Sequence, residues 1–279
     1  MLLFTPGPTP VPESVRQAMA TPTLHHRTPE FEAIFKEARG RLMQLLGMDE
    51  CVMIASSGTG AMQACMMNLC KTKALTVNAG KFGERFGKIA DAIGRDKVEL
   101  SYEWNTPCSV ADVENALHEN TDIDAIFIQV CESAGGLRHP VEAIAKRAKE
   151  INPDIMIVAD GITAVGVEPI DISNIDALVT GSQKALMLPP GLAMIGLSNA
   201  AVEKIGSGTD YYFNIATEIK KQQQNTTAWT AATTLIIGLN AIFDAIDEEG
   251  IDALYEKTAA RAAATQAALE AIGFSMYPQ

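Results

Sequence analysis

Basic charge is scarce in this 279-residue chain: 22 Lys+Arg face 34 Asp+Glu, for a formal net charge of −12. That deficit removes the electrostatic footprint of a nucleic-acid binder, and it equally disfavours docking on an anionic membrane surface. Long apolar runs are missing too. The most apolar late stretch, Leu235 to Phe243, is broken by Gly238 and Asn240 and is far too short to cross a bilayer. Met1 to Pro8 has neither the basic segment nor the apolar run of a signal peptide. Paired cysteines are absent: Cys51, Cys65, Cys70, Cys108 and Cys131 are odd in number, and no two have CxxC spacing. Cys65 and Cys70 sit among methionines and read as small packing groups on a buried helix. Together these absences point to a reduced, cytoplasmic protein with no structural zinc. There is no internal repeat, low-complexity tract or charge block.

What is present is a regular alternation. Hydrophobic residues make up 47% of the chain, enough at this length for one large domain or a large and a small one. The runs Val52–Ala55, Ala74–Val77, Val98–Tyr102, Ala125–Val130, Ile155–Ala159, Ala177–Thr180 and Leu192–Leu197 read as strands. They are continuous rather than alternating, which suits a sheet buried on both faces. Helical periods lie between them at Ala61–Leu69, Phe82–Ile93, Val110–Glu119 and Val141–Glu150. This rhythm predicts an α/β domain with a mainly parallel central sheet. From Thr230 onward only helix is expected, at Ala231–Glu248 and Ile251–Ile272. The second of these is Ala-rich, carries Asp252, Glu256, Lys257 and Arg261 on a polar side, and stops at Gly273.

In an open α/β sheet, ligands bind beyond the carboxyl ends of the strands. Three such ends carry chemistry. After Val52–Ala55, Ser56-Ser57-Gly58-Thr59-Gly60 leads into a helix, where backbone N–H groups and hydroxyls can meet a phosphate. The same residues also suit a plain strand-to-helix turn with a Ser/Thr cap. They are neither a P-loop nor a dinucleotide GxGxxG. Asp160 ends the run Ile155–Ala159, so it is either a costly buried carboxylate with a partner or a helix cap. Lys184, in Gly181-Ser182-Gln183-Lys184, stands before the apolar Ala185-Leu186-Met187-Leu188. It is either a desolvated, nucleophilic amine or a surface lysine with a buried stem. A phosphate cradle, a buried carboxylate and an imine-forming lysine are together what pyridoxal 5′-phosphate needs. Phe82, in Asn78-Ala79-Gly80-Lys81-Phe82-Gly83, is a candidate to stack on its ring.

The motifs are specific beyond this. In order they are FTPGPTPVP at Phe4–Pro12, HRTPEF at His26–Phe31, SSGTGAMQA at Ser56–Ala64, NAGKFGERF at Asn78–Phe86, ESAGG at Glu132–Gly136, ADGITAVG at Ala159–Gly166, GSQKALMLPPGLA at Gly181–Ala193 and EEGIDALYEK at Glu248–Lys257. The chain resembles the class V aminotransferases of PLP fold type I, in the alanine–glyoxylate and serine–pyruvate branch.

The resemblance implies a large domain with a mainly parallel seven-stranded sheet in an α/β/α sandwich, followed by a small C-terminal α+β domain. On that pattern residues 1–15 are an N-terminal segment, 16–240 the large PLP-binding domain and 241–279 the start of the small domain. It implies that Lys184 forms the internal aldimine and shuttles the α-proton, and that Asp160 pairs with the pyridine nitrogen. Ser57, Gly58, Thr59 and Gln183 would hold the phosphate, Phe82 would stack on the ring, and Ser133 would lie near the ring hydroxyl. Family members often have Ser-Thr after that serine, where this chain has Ala134-Gly135. The resemblance further implies a homodimer with shared sites, in which Thr230 reaches the neighbouring subunit's phosphate, supported by Thr227. Gly7 and His26 match positions near the substrate pocket or its entrance. Adjacent His25 and His26 would point to different sides of a regular element, so metal ligation is not expected. Pro189-Pro190-Gly191 is expected to shape the turn after the lysine.

The implied reaction moves the amino group of a small amino acid, of Ala or Ser type, to a 2-oxo acid such as pyruvate or glyoxylate. A 2-aminoethylphosphonate or ureidoglycine transaminase fits the same motifs. A cysteine desulfurase or lyase fits them less well, since Gln183 and Phe82 replace the expected histidines and no cysteine follows Cys131. A scaffold without turnover is the remaining alternative. Members of the family are usually longer and hold the substrate carboxylate with a later Arg, so a truncated chain with an incomplete small domain is expected. Arg261 is not assigned that role.

Overall fold

All seven apolar runs form one sheet. The computed structural model describes residues 3 and 5–278, so Phe4 of the first motif lies outside the described residues. In chain order the first elements are α1 (Glu13–Met19), α2 (Pro29–Leu46), β1 (Glu50–Ile54), α3 (Gly58–Leu69), β2 (Lys73–Asn78), α4 (Gly83–Ala92) and β3 (Asp96–Ser101). Next come α5 (Val110–Glu119), β4 (Ile123–Gln129), a small hairpin of β5 (Cys131–Glu132) and β6 (Leu137–Arg138), then α6 (Val141–Ile151). The rest is β7 (Met156–Asp160), β8 (Ala177–Gly181), β9 (Ala193–Leu197), α7 (Asn199–Ile205), α8 (Ile215–Gln222), α9 (Thr233–Glu249) and α10 (Ile251–Ala271).

The sheet order is β1-β9-β8-β7-β4-β2-β3. Neighbours from β8 to β3 pair in parallel, while β9 is antiparallel to both β8 and β1. Six strands therefore run one way and only β9 runs back, so their carboxyl ends share one edge. Along β4 and β7 the side chains alternate between two cores, as the two-residue period of a strand requires. Ile126, Ile128, Ile157 and Ala159 pack with α1, α2, α5, α6 and α9. Ala125, Phe127, Met156 and Val158 pack with α3, α4, α7 and α8. The result is an α/β/α sandwich, the architecture that the resemblance implies.

One expectation needs correction. β3 is not buried on both faces: it is an edge strand paired only to β2, and its polar Asp96, Glu99 and Ser101 are exposed. α10, in the part of the chain expected to be an incomplete small domain, has no buried residue, and Ile272, Phe274 and Tyr277 beyond it are exposed. It follows α9 at Gly250 and packs mainly on it, while Tyr255 borders a recess with Leu45, Gly47 and Ile172. α9 itself is continuous through residues 240 and 241, with Ile236, Leu239, Ile242 and Phe243 buried against α1 and α2.

Sequence periodicity alone could have found α2. Phe31, Phe35, Ala38, Leu42 and Leu46 form its buried stripe; Thr28 caps its first turn by accepting from Phe31 N–H, and Gly47 ends it at φ 64°.

Candidate active site

The shared carboxyl edge of the sheet opens into a cavity of about 300 Å³, a size at which a small ligand can be enclosed. Gly7, Ser57, Gly58, Thr59, Phe82, Ser133, Gln183 and Lys184 all line it. Five separate chain segments thus converge, four of them placed by strand ends and the fifth, around Gly7, by the N-terminal segment.

The β1–α3 turn brings the first group. α3 is buried almost all round by Ala61, Met62, Ala64, Cys65 and Met66, which fixes its N-terminus at the cavity. Ser57 sits at the cap position, but its hydroxyl makes no capping bond. The first turn is therefore left with donors that an anion can use. Gly58 leaves room for the Ile162 side chain: a Cβ there would stand 2.3 Å from Ile162 Cδ1.

Lys184 lies on the tight connection between β8 and β9. Buried Ser182 holds that connection closed, its hydroxyl donating to Pro189 C=O at 2.7 Å and its carbonyl accepting from Leu188 N–H at 2.9 Å. The N-terminal segment crosses over it: Thr9 N–H donates to Gln183 C=O at 3.1 Å, and the Thr9 hydroxyl donates to Lys184 C=O at 2.8 Å. This strap lays Gly7 on the lysine side chain, so closely that a Cβ would be 2.5 Å from Cδ and 2.7 Å from Nζ. Lys184 Nζ has no hydrogen bond and no carboxylate within 4 Å among the described residues. Burial lowers its pKa; Asp160 opposes that effect and the Arg85 charge adds to it.

Asp160 ends β7 behind the cavity wall and is buried. Burial pushes its pKa up to about 6, the Ile162 N–H donated to Oδ1 at 3.0 Å works against this, and nearby Glu132 reinforces it. A carboxylate in this position is short of a cationic partner in contact.

Asp160, Thr230 and His26 are not among the lining residues. Thr230 is exposed and borders a separate, small recess with Tyr212, Thr227 and Trp229. His26 lies in a turn, not a regular element, so its ring stacks on His25 at 4.9 Å rather than pointing away from it. No cluster of three metal-ligating side chains exists among the described residues.

Sequence reasoning missed Arg85 and Glu132. Arg85 lines the cavity, donates to Thr59 Oγ1 at 2.6 Å, and stacks its guanidinium over Phe82 at 4.8 Å from the ring centroid. Spacing of three from Phe82 on one helix is the only signal it leaves. Glu132 follows an apolar strand just as Asp160 does, so the rule that picked out one picks out the other.

The matching family model is that of the class-V aminotransferases, and it spans residues 1–277. The chain belongs to that family. An aminotransferase of Helicobacter pylori strain J99, itself without an assigned reaction, is 48% identical over the whole of this chain and 76% of its own length. The Thermus thermophilus aspartate aminotransferase of subgroup IV superposes with a TM-score of 0.85 at 32% identity, covering 91% of this chain and 73% of that one. The alanine–glyoxylate aminotransferase of Nostoc sp. gives 0.92 at 25% identity, over all of this chain and 76% of its own. The aminotransferase is thus a transaminase, and its cofactor is pyridoxal 5′-phosphate. The residues fit that group: an uncapped helix N-terminus for a phosphate, an unpaired amine for the aldehyde, and a buried carboxyl suited to a protonated ring nitrogen. No helix among the described residues is long and apolar enough to cross a membrane.

Proposed function

We propose that this aminotransferase transfers the amino group of a small amino acid of the alanine or serine type to a 2-oxo acid such as pyruvate or glyoxylate, with Lys184 as the residue that carries the cofactor. The observation that carries the reading is the unpaired Lys184 amine in the cavity, pressed by Gly7 and facing the charge of buried Asp160. When bound, the cofactor supplies an electron sink for the pair released at the substrate α-carbon. The chain's own residues do the rest. Lys184 Nζ, with its lowered proton affinity, is the nucleophile and then the base that moves the α-proton. Asp160 holds a proton on the ring nitrogen. Ser57, Gly58, Thr59 and Gln183 would hold the phosphate, Phe82 would stack on the ring, and Ser133 would lie near its hydroxyl.

The same reading includes a homodimer. Thr230 is exposed, outside its own cavity, and beside Tyr211 (79% exposed) and Tyr212, whose rings cluster on Trp229. Such an aromatic patch favours burial by a second copy, and Thr230 would then reach the phosphate of the neighbouring subunit. Residues 1–15, 16–240 and 241–279 are proposed as N-terminal segment, large domain and start of the small domain. Five free thiols, four of them buried, support a reducing compartment such as the cytoplasm.

A screen of alanine, serine and aspartate against pyruvate, glyoxylate and 2-oxoglutarate tests the substrate class. Alanine or serine is expected to convert the bound cofactor to its amine form, read from its absorption spectrum, and glyoxylate or pyruvate to reverse it. Conversion by aspartate alone, or by no amino acid, would overturn the assignment.

A further inference from the structure

We infer that Glu132 is a positioning residue that fixes the aromatic wall of the cavity, its carboxylate and the Gln129 amide clamping the backbone of Phe82. The inference rests on the reading of Phe82 as the ring-stacking residue. Glu132 is fully buried and has no cation within 4 Å among the described residues. Three backbone donors satisfy it instead. Oε2 accepts from Phe82 N–H and Gly83 N–H, both at 2.8 Å, and Oε1 accepts from Ala134 N–H at 3.1 Å. The first two lie at the start of α4, whose cap residue Phe82 has no side-chain cap of its own. Glu132 therefore caps a helix from another element, where an anion is favoured.

Gln129 closes the clamp from the other side. Its Nε2 donates to Phe82 C=O at 3.2 Å, while its buried Oε1 has no partner, so the bond to Phe82 is the amide's single hydrogen bond among the described residues. Both peptide groups of Phe82 are thereby held by buried side chains at the end of β4 and in β5. The loop is pressed onto the Glu132 side chain at Gly80, where a Cβ would stand 2.5 Å from Cγ, and onto the end of β2 at Gly83, where one would stand 2.7 Å from Val77 C=O. The glycines around Phe82 are there for this approach. Through Ala134 the same carboxylate also holds the turn that carries Ser133. One side chain ties two loops, and both line the cavity. Arg85 extends the arrangement, since it rests on the Phe82 ring and reaches Thr59.

A double-mutant cycle on the cofactor dissociation constant tests this, with the visible circular dichroism of the bound cofactor as a second readout. Glu132→Gln places an amide donor against one of the three N–H donors. It is expected to weaken cofactor binding about tenfold, the size of one lost charge-assisted hydrogen bond, and to change the dichroism. In a Phe82→Leu background, where only the Ser133 turn is left to position, the same change is expected to weaken binding by no more than about threefold. Gln129→Leu, which removes only the bond to Phe82 C=O, serves the same cycle if Glu132→Gln does not fold. An equal penalty with and without the ring would reduce Glu132 to a structural carboxylate and overturn the clamp alone. Unchanged binding in Phe82→Leu by itself would overturn the stacking reading and the clamp with it.

Discussion

Replacing Asp160 by Asn should make the cofactor-free protein more stable while disabling it. The folded chain holds this carboxyl at a pKa of about 6, against an ordinary 3.8. The unfolded chain releases the proton first, so between about pH 4 and pH 6 stability falls as pH rises, and above pH 6 the full cost remains. The difference of about two units amounts to about 3 kcal/mol, or roughly 5 °C in Tm for a chain of this length. Asn keeps the Oδ1 that accepts from Ile162 N–H, so only the charge is lost. Thermal melts of both proteins without cofactor should coincide near pH 4 and separate to that extent at pH 8, with the variant higher. Added pyridoxal 5′-phosphate should reverse the order, because only the wild type gains a counter-charge at the ring nitrogen, and turnover should fall steeply in the variant. An Asn variant that is less stable at pH 8, or a difference independent of pH, would refute the reasoning.

Gly7→Ala puts a methyl where the Lys184 amine lies; displacement by about 1 Å should slow covalent cofactor attachment about a hundredfold, followed by stopped-flow absorbance, with Tm nearly unchanged. Arg85→Ala removes a cation that depresses the Lys184 pKa, so the pH midpoint of cofactor attachment should move upward; a downward or absent shift in a spectrophotometric titration would contradict the assigned charge effect. The same variant loses the bond to Thr59 and should bind cofactor about tenfold more weakly.

Six of the strands were legible because each is a short, continuous apolar run, and β3 because Val98, Leu100 and Tyr102 alternate with polar residues; each of the seven is recovered to within about two residues at either end. Lys184 and Asp160 were legible because charge at the end of such a run is costly and therefore purposeful. Glu132 obeys that rule and was passed over within a motif already named for other reasons. Arg85 was not legible, since its place at Thr59 depends on how α4 packs against α3, a long-range fact without a local pattern. The helices at Glu13–Met19, Asn199–Ile205 and Ile215–Gln222 are only seven or eight residues long, too short for a period to stand out. Of these, the last two do carry cap signals, Ser198 and Asn214 accepting from the N–H groups of Ala201 and Thr217.

The most direct test of the central claim is chemical. The protein is loaded with pyridoxal 5′-phosphate, reduced with borohydride, digested and mapped by mass spectrometry, with Lys184→Ala treated in parallel. The account predicts one stoichiometric pyridoxyl label, on Lys184, and none in the variant. Label on another lysine, or an undiminished cofactor absorption band in Lys184→Ala, would contradict it.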